Sequence, residues 1–573
     1  MSYVLNAPEH FRAEMITGFV RAHGRTVRAV PGGVVRSRPG AAGKVSLIIG
    51  GGSGHYPAFA GLVGEGLADG AAMGEVFASP SATQITDVAR AAEYGGGVLL
   101  CYGNYTGDVL NFSLAEQRLR REGINCRTVR VTDDVSSADA SERHRRRGVA
   151  GDLVVFKVAG AAAERGDDLA AVAAVAEHAN ANTFTVGVAF SGCTLPGAAE
   201  PLFSVASGRM AVGMGIHGEP GLSETALVSA GRIARMMVSA LAEEGKALDG
   251  ARLAVVVNGL GSVSLEELFV LFRDVAQVLD DAGAVLVAPE VGELVTSFEM
   301  AGASLTLTWL DDELEELWCA SSGAPAFTRT ENAWVSRPGA TEAVDDAPPT
   351  ATSRAPGQAD RTTTVEGTVG DGMVGRLLDA ARSAVDAEAE ALGRLDAVAG
   401  DGDHGIGMRR GLTAAAAAAR GARSTRNALH LAADAWADHA GGTSGALWGL
   451  VLGALSTHLP DGCPSTRELA DGWSAAAEAV QTAGGARRGD KTMVDALQPF
   501  ADELAADPDR PLSASWAAAV AAAREGASGT ADLVARQGRA RSHGAAGLGH
   551  PDPGAVSFVL VVAAAQPMLE ASR

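Results

Sequence analysis

Apolar positions follow two different rhythms along the chain. Ahead of residue 336, short unbroken apolar runs alternate with longer segments of helical period; the runs include Val45 to Ile49, Val98 to Tyr102, Thr128 to Val131, Thr183 to Ala189 and Leu253 to Val257. Strands bounded by helices in this way predict an α/β domain. Beyond residue 364 strand-like runs nearly vanish. Ala- and Leu-rich stretches recur between glycines there, among them Met373 to Leu392, Leu429 to Ala440 and Ala514 to Arg524. They predict an all-helical domain of about eight helices. The run Ala414 to Ala419 reads as tight helix packing.

Between the two rhythms, residues 336–364 are rich in Pro, Thr, Ser and Ala and have almost nothing large and apolar to bury. This is a linker. A flexible chain of about 29 residues spans roughly 30 Å on average and about 100 Å when stretched, so the flanking domains can meet within one chain or across a dimer. The expected organisation is therefore 1–335, linker 336–364, and 365–573.

Charge narrows the function classes. With 47 Lys+Arg against 68 Asp+Glu the net charge is −21, and no basic stripe offers itself to phosphates, which argues against nucleic-acid binding. Five cysteines, odd in number and without a C-x-x-C pair, fit a reducing cytoplasm. The N-terminus has no secretory pattern, and no uncharged apolar run reaches the length of a membrane span.

Eight glycine-bearing strings carry the candidate chemistry. Gly50-Gly51-Gly52-Ser53-Gly54-His55 follows a strand and leaves bare backbone for a small polar ligand, although a plain tight turn is an equal reading. It is neither a Walker A loop nor a nucleophile elbow. Gly103-Asn104-Tyr105-Thr106-Gly107-Asp108 ends another strand. Ligands of open α/β sheets sit at such strand ends, where His55 and Asp108 could form an acid/base pair; the bland alternative makes Asp108 a helix cap. Gly213 to Gly221 surrounds His217 with glycines. That leaves room for a carbonyl to reach its nitrogen, against the commoner structural role of a lone histidine. In the helical part, Asp396, Asp401 and Asp403 cluster around glycines and suit a hard cation, magnesium above all. Gly441-Gly442-Thr443-Ser444-Gly445 resembles a helix N-terminus able to cradle phosphate. Together with Gly489 to Met493, Gly538 to Ala540 and Gly549 to Gly554 it forms a polar rim fit for a nucleotide.

The strings GGGSGH, NYTGDVLNF, RRRGVAGD, GIHGEPG, GDGDHG, GGTSGAL, GDKTM and GHPDPG occur in this order, and with them the chain resembles the fused dihydroxyacetone kinases. The resemblance implies a sugar-binding domain of two α/β subdomains followed by a barrel-like domain of eight helices that binds ATP. It implies a ketose held as a hemiaminal on His217, His55 and Asp108 as base and acid, and sugar contacts from Gly52, Ser53, Gly54, Tyr56 and Gly103. It also implies magnesium on Asp396, Asp401 and Asp403. Nucleotide contacts are implied for His404, Gly405, Ile406, Gly407, Thr443, Ser444, Gly484, Met493, Arg539 and Asp552, in a homodimer. Rival readings are a phosphotransferase-system component and a non-catalytic ketose-binding regulator.

Three places depart from the family pattern. Tyr56 stands where Glu is common, Gly103 where Lys is common, and residues 542–547 replace a YLGERS stretch. Losing an ammonium at position 103 leaves space for one more hydroxyl-bearing carbon, so erythrulose joins dihydroxyacetone as the expected substrate.

Overall fold

The computed structural model describes residues 4–330 and 373–571, apart from 218, 220, 245, 401, 421, 423, 462–463 and 538–546. The linker expected over 336–364, Asp401, Arg539 and residues 542–546 lie outside the described residues.

The N-terminal half holds two sheets. The first contains β1 (Val27–Val30), β2 (Gly33–Arg36), β3 (Ser46–Ser53), β4 (Gly70–Val76), β5 (Val98–Gly103) and β6 (Cys126–Val131), in the order β1-β2-β4-β3-β5-β6. Strands β4, β3, β5 and β6 run parallel. β3 and β5 are buried along their whole length, which is why their sequences are continuous apolar runs. Their carboxyl ends carry the loops bearing His55 and Asp108, as expected for a parallel sheet.

The second sheet contains β7 (Thr183–Ala189), β8 (Arg209–Val212), β9 (Ser223–Ala226), β10 (Arg252–Gly259), β11 (Val285–Leu286), β12 (Glu290–Gly292) and β13 (Gly302–Leu310). Its order is β11-β10-β13-β7-β8-β9, with β12 also on β10. The β8–β9 hairpin throws out the loop with His217. One continuous apolar core, with Phe156 and Trp318 fully buried, runs between the two sheets. The site therefore forms at their junction.

The C-terminal half is all helix among the described residues. Eight helices run from Met373–Asp396 to Pro553–Ala564, with a short ninth, Gln566–Ala571, after them. They enclose stacked aromatic rings: Trp436 and Trp448 lie 4.6 Å apart and nearly parallel, and Phe500, Trp473, Trp516 and Phe558 pack edge to face beyond them. Such pairs add to the burial of large rings. Ala415, Ala416 and Ala419 are buried, so the alanine run is indeed a packing surface. No helix among the described residues is long and apolar enough to cross a membrane.

Polar contacts join the halves. Ser81 donates its hydroxyl to Asp438 at 2.8 Å, Arg118 pairs with Asp434 at 3.4 Å and Arg410 with Glu75 at 3.5 Å, and the Gly442 amide donates to the Ser79 carbonyl. Exposed ion pairs contribute little each, and an interface of this composition permits the domains to move.

Candidate active site

The two halves enclose a cavity of about 730 Å³, walled on the α/β side by Gly52, Tyr105, Asp108 and His217 and on the helical side by Thr443 and Gly484. His55 and His217 meet next to it. The Nε2 atoms of the two rings are 3.0 Å apart, and the rings stand at right angles. Phe77 stacks on His55, and Tyr105 and Phe77 meet His217 edge-on.

The partners of the outer ring nitrogens fix where the protons lie. His55 Nδ1 faces the Thr296 carbonyl at 2.8 Å, which can only accept, so Nδ1 carries hydrogen. His217 Nδ1 faces the Glu219 carboxylate at 3.2 Å, so it also carries hydrogen. Two neutral rings would then present lone pair to lone pair. The 3.0 Å contact is thus a hydrogen bond only when one proton is shared between the Nε2 atoms, and burial of His55 leaves that proton to the His217 side.

Electrostatics agree. Burial, and then the neighbouring His217, push His55 down to about 3. Against the opposing effect of burial, His217 and Arg147 hold Glu219 well below the usual carboxylate range. Arg147 is itself fixed by Asp134 at 2.7 Å and lies 3.6 Å from Glu219. The result is a chain of Asp134, Arg147, Glu219, His217 and His55.

A measurable consequence follows for stability. In the unfolded chain His55 titrates near 6.5, whereas in the fold it stays neutral down to about 3. Between those values the unfolded state binds the extra proton, so this contribution is full above pH 6.5 and is lost as the pH falls. Thermal midpoints are expected to drop across that window, and to drop less in His55→Gln; equal slopes for the two proteins would contradict the assignment.

Other predicted sugar contacts are spread differently. Gly52 lines the cavity, and a Cβ there would lie 2.7 Å from the Ala78 amide nitrogen. Gly54 has a φ of 115°, which favours glycine. The Ser53 hydroxyl is committed to the Gly74 carbonyl at 2.7 Å. Tyr56 does not line the cavity; it is half-exposed, with its edge against Phe19. Gly103 sits one layer behind Tyr105, buried against Gly148. Asp108 occupies the first turn of the helix Thr106–Arg121, whose cap position is Tyr105, so Asp108 is not the helix cap.

A second, narrower slot of about 190 Å³ opens within the helical half. Leu395, Val398, Leu447 and Met493 give it apolar walls, and Asp396, His404, Ser444 and Asp552 its polar end. His404 is held by Ser557 at 2.9 Å and Ser444 at 3.4 Å. Asp552 caps the last long helix through Ala555. Gly405 packs on the Ala389 backbone, Ile406 is exposed, and neither lines the slot; Gly407 does not line it either. Gly484 belongs to the cavity between the halves. Lys491 spends its ammonium on the carbonyls of Thr530, Gly547 and His550, so it fastens loops around the slot. Thr443 lines both spaces, and its hydroxyl lies 3.3 Å from where Gly107 would carry a Cβ. The two spaces therefore meet beside Asp108.

Among the described residues no three acids, histidines or cysteines are grouped so as to hold a metal ion, but carboxylates do crowd near the polar end of the slot. Burial and Asp396 push Asp403 up to about 7, and burial, Asp495 and Asp396 push Asp552 up to about 7. Carboxylates crowded in this way repel until a cation or protons neutralise them.

An α/β half presenting paired imidazoles to an all-helical half with an acidic slot defines a two-domain architecture. The chain belongs to the dihydroxyacetone kinase family: residues 17–326 match the Dak1 domain and residues 398–566 the DAK2 domain. It is 51% identical to the L-erythrulose kinase of Pectobacterium atrosepticum, over 99% of this chain and 97% of that one. It is 48% identical to the D-erythrulose kinase of Mycolicibacterium smegmatis, over 98% and 97%. Among solved structures, the dihydroxyacetone kinase from C. freundii in complex with AMP-PNP and Mg2+ matches over 99% of both chains, with a TM-score of 0.53 and 30% identity.

Glu219, Arg147, Thr296 and Tyr105 were not singled out from the sequence. Glu219 alone had a signal: an acid two residues after a histidine in a glycine-rich loop.

Proposed function

We propose that the protein is an ATP-dependent kinase of small ketoses and that erythrulose is its preferred substrate, with dihydroxyacetone the smaller alternative. The observation that carries this reading is His217, an imidazole with its Nδ1 hydrogen given to a carboxylate and its Nε2 facing a neutral histidine beside an open cavity. Similarity to two erythrulose kinases over nearly the whole chain supports the choice of substrate.

In the proposed reaction the shared proton passes to His55, which frees the Nε2 lone pair of His217 to add to the ketose carbonyl carbon. The carbonyl oxygen takes that proton from His55 and becomes the hemiaminal hydroxyl. The positive charge then rests on the His217 ring, opposite Glu219. His55 is left neutral and can accept the proton of the terminal hydroxyl as that oxygen attacks the γ-phosphorus of ATP, with Asp108 assisting. An alcohol carbon offers nothing for the imidazole to attack, so polyols are rejected. Gly52 presents backbone to the sugar.

On the helical side, Asp396 and Asp403, with Asp401, would hold magnesium, which supplies charge neutralisation to the phosphates when bound. His404, Thr443, Ser444, Met493 and Asp552 would surround the nucleotide, and Arg539 would neutralise charge on the transferred group. The meeting of the two spaces at Thr443 supports transfer between domains of one chain, and closing them excludes water. A homodimer acting in the cytoplasm, with boundaries at 335 and 365, belongs to the same reading.

Steady-state kinetics with ATP as the only phosphoryl donor test it, using dihydroxyacetone and both erythrulose enantiomers. Higher kcat/KM for an erythrulose enantiomer is expected; a clear preference for dihydroxyacetone contradicts the substrate assignment.

A further inference from the structure

Three consecutive arginines, Arg145, Arg146 and Arg147, stand shortly before the helix Gly151–Arg165, and the fold commits two of them. Arg146 is buried and donates from both ends of its guanidinium to the Glu244 carboxylate at 2.8 Å. Arg147 is engaged by Asp134 and Glu219. Arg145 instead lines the cavity between the halves. It pairs with Glu142, three positions earlier, but the two side chains are 39% and 49% exposed, so water screens the pair and it holds Arg145 weakly. The backbone on either side of Arg145 is pinned. Asn104, from the loop after β5, donates its side-chain amide to the carbonyls of His144 and Arg146 at 3.2 and 2.7 Å.

Arg130 belongs to the same wall. It is exposed on β6, opposite Tyr102 of β5, and has no ion pair among the described residues. The charged residues lining the cavity all come from the α/β half: Arg130, Arg145 and Arg147 against Asp108 and Glu219. The surplus is positive, in a chain whose net charge is −21. The helical side offers Thr443, Thr482 and Gln537 and, among the described residues, no charge. The neighbouring slot is the reverse, with Asp396 and Asp552 at its polar end and Lys491 tied to carbonyls. Thr443 lines both spaces. A phosphoryl group passing it leaves carboxylates, beside which it needs a cation, and reaches arginines, which bind it directly.

We propose that Arg130 and Arg145 form a subsite for the phosphate of the product, the ketose phosphate, on the α/β wall of the cavity that also presents His217. The proposal rests on the kinase reading given above and adds the receiving side of the transfer. A phosphate monoester carries nearly two negative charges at neutral pH and suits the planar fork of arginine; the unphosphorylated ketose carries none. The subsite therefore acts on product and leaves capture of the sugar to His217.

The test compares Arg130→Gln, Arg145→Gln, the double variant and Arg145→Lys with the full-length parent, after thermal midpoints have shown each to be folded. Dihydroxyacetone phosphate and carbonyl-labelled dihydroxyacetone are titrated separately without nucleotide, at low and high salt. The double variant is expected to bind the phosphate ester about 10-fold or more weakly and to lose most of the salt dependence of that binding. Arg145→Lys keeps the charge and is expected to stay close to the parent, and the loss is expected to fall on the ester and not on the uncharged ketose. Equal losses for ester and ketose, an unchanged affinity for the ester, or no binding of the ester to the parent would overturn the subsite. AMP-PNP with Mg2+ is titrated in parallel; a loss confined to the nucleotide would place the arginines on the donor side and overturn it too. None of these titrations involves turnover. A protein that bound all three ligands without phosphorylating the ketose would defeat the kinase reading, while the contrast between ester and ketose would still decide the subsite.

Discussion

Replacing His217 by Ala is expected to abolish covalent capture of the ketose and to lower kcat/KM by at least about 10³-fold. Fixing the carbonyl carbon on Nε2 makes the later attack intramolecular, and preorganisation of that kind supplies several kcal/mol of a barrier. The loss differs in kind from that of His55→Gln. Without His55, Glu219 still holds the Nδ1 hydrogen of His217, so some adduct persists while proton transfer fails. Carbonyl-carbon NMR and steady-state kinetics on both variants separate the two effects. Capture retained in His217→Ala would remove that residue from the reaction.

Replacing Asp403 by Asn is expected to lower kcat by about 10³-fold while ketose capture on His217 continues, because the cation that Asp403 would help to hold acts only on the transferring phosphoryl group. The argument rests on crowding: Asp396 raises Asp403, and Asp396 and Asp495 raise Asp552, each on top of burial. Removing one carboxylate relieves repulsion in the metal-free protein and weakens the cation's hold. Two readings check this together. The thermal shift produced by Mg2+ with nucleotide should shrink in the variant, and its magnesium requirement should rise. Unchanged magnesium dependence would take Asp403 out of the cation site.

The legible parts of this protein are local. Strands buried along their whole length are nearly continuous apolar runs, so β3, β5 and β7 stand out, and glycine-bearing loops at strand ends mark where His55, Asp108 and His217 sit. The helical rhythm after residue 364 likewise announces its fold. The illegible parts depend on partners far away in the chain. Thr296 fixes the tautomer of His55 from 241 positions away, and the role of Arg147 exists only because Asp134 and Glu219 converge on it. Direction along a loop also escapes a linear reading. His55 turns inward and its neighbour Tyr56 turns out onto Phe19. Helical period did the same at the start of the helix His404–Ala419, where His404 and Met408 face inward and Ile406 faces solvent. Glycines mislead where they serve packing: Gly405 is small because Ala389 leaves it no room.

The central claim is that a ketose carbonyl becomes bonded to Nε2 of His217. The most direct measurement is the carbon-13 spectrum of carbonyl-labelled erythrulose bound to the full-length protein without ATP. The account predicts that the bound resonance leaves the ketone range for that of a carbon bearing both oxygen and nitrogen, and that the shift vanishes in His217→Ala. A bound sugar that keeps its ketone resonance, or an identical shift in the alanine variant, would contradict it.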